Sequence, residues 1–107
     1  MNNKKKLGNI IRQARGSHNK GLRKFAGEIK ISPTYLSQIE RGEGNFPSED
    51  TIRVIAKNLA LNEEELIFLA KKIPSDIVEL FHEDPKHYAA VLRREAKERK
   101  LLNSLND

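Results

Sequence analysis

One apolar pattern recurs along the chain and limits what the chain can fold into. Apolar residues stand at offsets of 0, 3, 4 and 7 in four segments: Leu7, Ile10, Ile11, Ala14; Leu22, Phe25, Ala26, Ile29; Ile52, Ile55, Ala56, Leu59; and Leu66, Leu69, Ala70, Ile73. This spacing places each set on one face of an α-helix. Alternation of period two never lasts long enough to indicate a strand. The sequence therefore predicts an all-α fold.

The starts of the predicted helices are marked by residues that cap free backbone N–H groups. Ser32 is followed by Pro33, a residue that suits the first helical position because its missing N–H is not needed there. The other marked starts are Ser48, Asn62 with Glu65 three residues later, and Asp84-Pro85. The polar segment GSHNKG (16–21) is expected to end the first helix. A short sixth helix after IPS (73–75) and a seventh over roughly 85–103 complete the prediction.

The charge of the chain is divided unevenly along its length. Residues 1–41 contain ten Lys and Arg against two Glu, which gives +8, whereas residues 42–92 carry −5 and residues 93–107 carry +2. The first block is a candidate surface for a polyanionic partner such as nucleic acid. A solvated basic surface without a partner explains the same excess equally well.

Several classes of function are excluded or disfavoured by composition. The 107 residues include no cysteine, so disulfides, thiolate metal ligands and cysteine nucleophiles are excluded. The sequence has no apolar run long enough for a membrane span, and a cytoplasmic location is expected. His18, His82 and His87 are expected to be surface histidines, and no catalytic, metal or cofactor site is predicted. The chain is therefore not expected to be an enzyme.

The segment KISPTYLSQIERG (30–42) carries the strongest functional signal. Only about three residues separate the second and third predicted helices, which is the arrangement of a helix-turn-helix. On a wheel of the third helix, Tyr35, Leu36, Ile39 and Glu40 fall on one side, and Thr34, Ser37, Gln38 and Arg41 fall on the other. The second set offers an amide, two hydroxyls, a methyl and a guanidinium, the groups that read base edges in a DNA major groove.

With these residues in place, the sequence from LGNIIRQAR through LRKFAGEIKISPTYLSQIERGEGNFPSEDTIRVIAKNLALNEEEL resembles a known family. It is similar to the lambda-repressor-like, Cro-type helix-turn-helix domains (the XRE family) over about residues 7–70. The resemblance implies a five-helix DNA-binding domain over residues 1–72. Residues 73–107 would then form a helical extension of about two helices, like that of some phage and mobile-element regulators, with a possible role in dimerisation.

The resemblance also implies roles for individual residues. DNA base readout is implied for Pro33, Thr34, Ser37 and Gln38. Contacts with the DNA backbone are implied for Lys20, Gly21, Leu22, Arg23, Lys24, Arg41 and Asn45. Arg15 and Glu40 match two positions that form an ion pair inside the domain, so Glu40 is expected to be structural.

The sequence departs from the family pattern in the turn and in the following loop. Lys30 stands where the family usually has glycine in a left-handed conformation, which costs other residues roughly 1–2 kcal/mol. Gly27 weakens the interior of the second helix. Phe46 lengthens the loop before Pro47-Ser48, and we expect it to pack beneath that loop.

Two hypotheses for function remain at this stage. The first is a sequence-specific transcriptional regulator, a repressor that binds a pseudo-palindromic operator in double-stranded DNA as a homodimer. The second is an antitoxin-like module that binds a partner protein through residues 73–107. The last helix fits both a tail that frays beyond the core and a dimer interface formed together with the sixth helix.

Overall fold

The computed structural model describes residues 2–106, and every regular element in that range is a helix. The seven helices are α1 (Asn3–Ser17), α2 (Leu22–Glu28), α3 (Pro33–Arg41), α4 (Glu49–Asn58), α5 (Glu63–Leu69), α6 (Ser75–Glu83) and α7 (Pro85–Leu105). No strand occurs between residues 2 and 106. The prediction of an all-α fold is confirmed.

The predicted caps form as their side-chain chemistry requires. Ser32 Oγ accepts a hydrogen bond from Tyr35 N at 3.0 Å, and Asn62 Oδ1 accepts one from Glu65 N at 2.9 Å. Ser48 and Asp84 cap α4 and α7 in the same way. These starts are predictable because a capping side chain binds an N–H only two or three residues ahead.

The first helix runs further than the sequence predicted. Gly16 and Ser17, which were assigned to the polar segment after the helix, form its last residues. Ser17 Oγ donates a hydrogen bond to Gln13 O at 3.0 Å. The chain leaves the helix only at Asn19, where φ is +54°. A glycine and a serine are tolerated here because they lie in the final turn.

Four of the first five helices end in a residue other than glycine with a positive φ. These residues are Asn19, Lys30, Ala60 and Lys71, with φ between 54° and 59°. At each of these positions, the N–H of the positive-φ residue and the N–H of the next residue donate hydrogen bonds to carbonyls of the last helical turn. This is the Schellman arrangement, which normally takes glycine at the left-handed position. Only α3 has the usual residue, Gly42 with φ +68°.

The chain divides into two compact units between Pro74 and Ser75. The N-terminal unit holds α1–α5 and a single apolar core, whose buried members are Leu7, Ile11, Phe25, Ala26, Ile29, Leu36, Ile39, Ile52, Ile55, Ala56, Leu59, Leu66, Ile67 and Ala70. The apolar stripes predict most of this core. Two stripe members are exposed instead: Ile10 at 38% and Ile73 at 53%.

The C-terminal unit consists of α6 and α7. The two helices pack on each other, and the rings of Phe81 and Tyr88 lie 6.0 Å apart between centroids. Within residues 75–106 no side chain is buried, and every residue from Ala90 to Asn106 is exposed. The C-terminal unit therefore has a contact between helices but no core of its own.

Candidate nucleic-acid interface

The turn between α2 and α3 fixes the direction in which α3 begins. Ile31 N donates a hydrogen bond to Ala26 O at 3.0 Å, and Lys30 N donates one to Gly27 O at 3.3 Å. Lys30 adopts the left-handed conformation with φ +59°, so it takes the place of the usual glycine without changing the turn. The turn has the expected geometry at a cost of roughly 1–2 kcal/mol.

The inner face of α3 is held by the core of the N-terminal unit. Leu36 and Ile39 are buried, and Tyr35 packs half-buried against the same cluster. The wheel drawn from the sequence placed these residues on the inner side, together with Glu40. Burying two aliphatic side chains contributes about 1.5–3 kcal/mol each, which fixes the rotation of the helix about its axis.

A close approach of α1 to α3 was not foreseen from the sequence. A Cβ atom at residue 8 would collide with the carbonyl oxygens of Glu40 and Ile39. No side chain fits at residue 8, so the backbones of α1 and α3 touch there. A glycine inside the apolar stripe of the first helix was the available signal, because such a residue often marks close backbone packing.

An ion pair ties α3 to α1 and to the segment before α2. Arg15 Nε donates to Glu40 Oε2 at 2.7 Å, and a terminal nitrogen of Arg15 donates to Glu40 Oε1 at 2.8 Å. The other terminal nitrogen donates to Lys20 O at 2.9 Å. The hydrogen bond with Glu40 raises the pKa of Arg15 above its ordinary value, so the guanidinium stays charged. The structure thus contains the pair that the family resemblance implies.

The outer face of α3 presents polar groups to solvent. Pro33, Thr34 and Gln38 are exposed, and Ser37 is half-buried. The side chains of Thr34, Ser37 and Gln38 form no hydrogen bond with another group in residues 2–106. The helix therefore offers unsatisfied donors and acceptors on one face while its other face is fixed, which suits contact with an external polar surface.

The basic residues around α2 differ in their availability. Arg23 and Lys24 are exposed at the start of α2, where Gly21 provides no side-chain cap and Leu22 is half-buried. Lys20 has other partners, because its Nζ lies 2.8 Å from Glu28 Oε2. That ammonium also lies 5.5 Å from the centroid of the Phe25 ring. The geometry directs the charge of Lys20 toward its own domain.

The loop after α3 combines exposed polar groups with a packed aromatic ring. Arg41 and Asn45 are exposed, and Arg41 forms an exposed ion pair with Glu43 at 3.2 Å. Phe46 packs half-buried against the core, as expected from the sequence. Lys4 Nζ lies 5.4 Å from the centroid of the Phe46 ring, which links the start of α1 to this loop.

Two cations on α1 were missed by the sequence analysis. Lys5, Asn9 and Arg12 lie at offsets of 0, 4 and 7, so they share one helix face. Together with Arg41 and Glu43 they line an open depression beside α3. The spacing was visible in the sequence, but which neighbour this face meets depends on how α1 packs. Lys5 and Arg12 extend the basic surface around α3.

The histidines have surroundings that the sequence only partly predicted. His18 is exposed, yet its Nε2 lies 2.9 Å from Leu59 O and ties the loop after α1 to the end of α4. His82 and His87 are exposed, and the His87 ring meets Tyr88 edge-on at 4.9 Å. In the part of the chain that the structure describes, His, Asp and Glu form no group of three able to hold a metal ion.

A family model described as a helix-turn-helix domain matches residues 8–72. The chain belongs to this helix-turn-helix family. The XRE-type identity implied by the segment 30–42 is confirmed. The family and the fold are those of DNA-binding transcription regulators. Among the helices of residues 2–106, none has the length and apolar character needed to cross a membrane.

Solved structures of one regulator are similar to the chain over most of its length. One structure of the clp gene regulator ClgR from Corynebacterium glutamicum is 26% identical, with a TM-score of 0.54 over 64% of this helix-turn-helix protein and 88% of that chain. A second structure of ClgR is also 26% identical, with a TM-score of 0.56 over 87% and 93%. No curated protein matches the sequence significantly.

Proposed function

We propose that this helix-turn-helix protein is a sequence-specific repressor that binds a pseudo-palindromic operator as a homodimer in the cytoplasm. The observation that carries the proposal is the outer face of α3. Thr34, Ser37 and Gln38 present polar side chains without an internal hydrogen bond there, while the inner face is fixed by a buried core and the Arg15–Glu40 ion pair. A rigid helix with exposed hydrogen-bonding groups meets the requirement for reading bases in a major groove.

Specific reading of bases is assigned to the outward side chains of α3 between Pro33 and Gln38. Gln38 supplies an amide that pairs with both edge groups of adenine, and the methyl of Thr34 suits contact with the methyl of thymine. Ser37 donates or accepts, and Pro33 lies at the end of the helix that would enter the groove. These contacts would determine which operator is preferred.

Contacts with phosphates are assigned to groups on both sides of α3. On one side are the N–H groups at Gly21 and Leu22 with the cations Arg23 and Lys24, and on the other are Arg41 and Asn45. Lys5 and Arg12 join the second side, next to Arg41. Lys20 contributes mainly through its carbonyl oxygen, which orients Arg15. Such contacts position the protein but carry no base sequence.

Dimerisation is expected because a single copy of α3 presents only a small surface to DNA. One recognition helix contacts only a few base pairs, and two copies about one helical turn (~34 Å) apart reach useful specificity. We assign dimerisation to the extension, residues 73–107, and base reading to residues 1–72. Repression would follow where the operator overlaps a promoter. The similarity to a protein described as a gene regulator supports a role in transcription.

The test begins with selection of bound sites from a random DNA pool. An enriched sequence with twofold symmetry is expected, and failure to enrich any sequence would contradict specific reading. Gln38→Ala should then lose about 1–3 kcal/mol of preference at one base position in each half-site. Gln13→Ala is a matched control, because Gln13 is an exposed glutamine on α1 outside the proposed interface.

The phosphate contacts are tested by the dependence of affinity on salt. Arg23→Ala should weaken binding to all sequences alike and reduce the slope of log affinity against log salt by about one. Lys57→Ala removes an exposed cation from α4 and should leave the slope unchanged. Equal slopes for the two variants would remove Arg23 from the phosphate contacts.

The exposed C-terminal unit favours one alternative function, an antitoxin-like module that binds a partner protein. Every residue from Ala90 to Asn106 is exposed, which leaves a long helix open to another chain. Deletion of residues 75–107 distinguishes the two functions. Loss of dimerisation and of cooperative DNA binding would support the repressor. Survival of both would show that the extension serves a different partner.

A further inference from the structure

The second half of α7 has the make-up of a helix that requires a partner. The helix has 21 residues, whereas α6, the helix packed on it, has only nine. From Ala90 onward α7 is exposed on all sides. Most helical stability in proteins comes from the packing of one helix face rather than from helix propensity.

The two faces of α7 differ sharply in composition. At 100° per residue, Val91, Leu92, Glu95, Arg99 and Leu102 fall within an arc of about 100°. The opposite face carries Lys86, Arg93, Arg94, Lys97 and Lys100, with Leu101 as a single large apolar residue among them. Leu92 and Leu102 are 54% and 59% exposed. The first face, here called the α7 seam, therefore has an apolar residue at each end and two opposite charges in its middle.

We propose that the α7 seam binds the α7 seam of a second copy of this chain in antiparallel orientation. The twofold axis crosses the helix pair at the level of Lys97. Glu95 then faces Arg99 of the partner subunit, and Arg99 faces Glu95 of the partner subunit. Leu92 lies opposite Leu102 of the partner subunit, and the reverse contact follows by symmetry. The pair buries apolar side chains at both ends. In its centre, Glu95 and Arg99 of the two copies bring four charged side chains together.

The positions of the charges select this orientation. A parallel pair would place Glu95 beside Glu95 of the partner subunit and Arg99 beside Arg99 of the partner subunit, and both contacts repel. In a single copy, Arg99 Nε already lies 2.9 Å from Glu95 Oε1, so both side chains have adopted positions on the seam. The antiparallel pair keeps these contacts and adds their equivalents between copies. The basic faces point outward, where they are hydrated.

The inference rests on the proposed homodimer and specifies its interface. An antiparallel helix pair is isologous, since the same surface is used by both copies, and it generates a closed dimer. Such a dimer matches the twofold symmetry of a pseudo-palindromic operator. The DNA-reading face of α3 takes no part in the contact, so the two proposals can fail separately.

The first experiment measures dimerisation of the full chain by sedimentation equilibrium. Arg99→Glu should raise the dimer dissociation constant by roughly tenfold or more, because it sets like charges against each other at the axis. Arg93→Glu changes the same charge on the opposite face and should leave the constant within about threefold. The double variant Glu95→Arg, Arg99→Glu restores opposite charges and should return the constant toward that of the parent chain. Circular dichroism checks that the helix content is unchanged.

The second experiment determines orientation from distances between spin labels. The chain has no cysteine, so single cysteines at Ala90, Lys97 and Ser104 can each be labelled selectively. All three positions lie on the face away from the seam. In an antiparallel pair, the two labels at Ala90, or the two at Ser104, are ~21 Å apart along the helix axis. The two labels at Lys97 lie at the same level. The shortest distance is therefore expected at Lys97, whereas a parallel pair gives three equal distances.

Each contrary outcome overturns a defined part of the argument. Equal weakening by Arg99→Glu and Arg93→Glu would show an effect of net charge only, and three equal distances would exclude antiparallel pairing. Unchanged dimerisation in Arg99→Glu would place the interface elsewhere while leaving the dimeric repressor intact. A chain that remains monomeric on its symmetric operator would refute the dimeric repressor itself.

Discussion

The two units of this protein differ in how much apolar surface they bury. The N-terminal unit buries fourteen apolar residues in one core and uses it to fix one exposed helix face. The C-terminal unit buries none between residues 75 and 106 and leaves most of its longest helix in solvent. Under the proposed function, a helix that presents fixed groups to DNA needs a rigid support, whereas a helix proposed to bind its own copy would be completed by that copy. The difference separates residues that matter for folding from residues that matter for association.

The largest expected difference between the units concerns two leucines. Leu36→Ala empties a fully buried position in α3 and should lower the free energy of unfolding by about 3–4 kcal/mol. Leu102→Ala, in α7, should change it by less than ~0.5 kcal/mol when measured on the dilute, monomeric chain. Urea denaturation followed by circular dichroism measures both. Comparable losses would show that the C-terminal unit has a core after all.

A glycine pair in α1 tests the close approach to α3. Gly8→Ala forces a Cβ into two backbone carbonyls and should cost about 2–3 kcal/mol. Gly16→Ala is the matched control in the same helix, since nothing lies within 4 Å of its added Cβ. That variant should gain about 0.5–1 kcal/mol from a less flexible unfolded chain. Thermal denaturation of both variants gives the comparison, and equal effects would refute the close contact.

The two units each contain an Arg–Glu pair, and the pairs should differ in value. Glu40→Gln removes the carboxylate that binds Arg15 in a largely buried site and should cost about 2 kcal/mol. Glu95→Gln removes the partner of Arg99 on an exposed helix and should cost less than ~0.5 kcal/mol in the monomer. Denaturation at low concentration measures both, and a costly Glu95→Gln would contradict the exposed geometry.

The smallest expected effect is a gain in stability at the turn. Lys30→Gly removes left-handed strain and should stabilise the fold by about 1 kcal/mol. Lys71→Gly relieves the same conformation at the end of α5 and should give a similar gain. Only Lys30 borders α3, the helix proposed to read bases, so DNA affinity is measured for both variants. A loss of stability in Lys30→Gly would show that the lysine side chain makes a favourable contact.

Local chemistry explains why the helices could be predicted. Ser32, Ser48, Asn62 and Asp84 each bind a backbone N–H within their own helix, so the sequence alone specifies those starts. The core was predicted less completely, because a helical stripe states which residues share a face but not how wide the buried zone is. Ile10 and Ile73 belong to such stripes and yet are exposed.

The candidate interface was likewise predicted only in part from the sequence. The inner and outer sets of α3 followed from the wheel, and the helix-turn-helix identity followed from the segment 30–42. Two features could not be predicted. They are the ion pair between Lys20 and Glu28 and the position of Lys5 and Arg12 beside Arg41. Each joins residues from different elements, and their proximity depends on how the helices pack rather than on spacing along the chain.

The sequence by itself determined the all-α class, the helix starts, the helix-turn-helix and the polar face of α3. These features depend on periodicity and on contacts a few residues apart, which are properties of the chain read locally. Only the tertiary structure decided the backbone contact at Gly8, the hydrogen bond from His18 to Leu59, and the left-handed turn at Lys30. It also decided that α7 stands exposed beyond α6. These features arise because packing brings distant residues together and imposes conformations that local preferences disfavour.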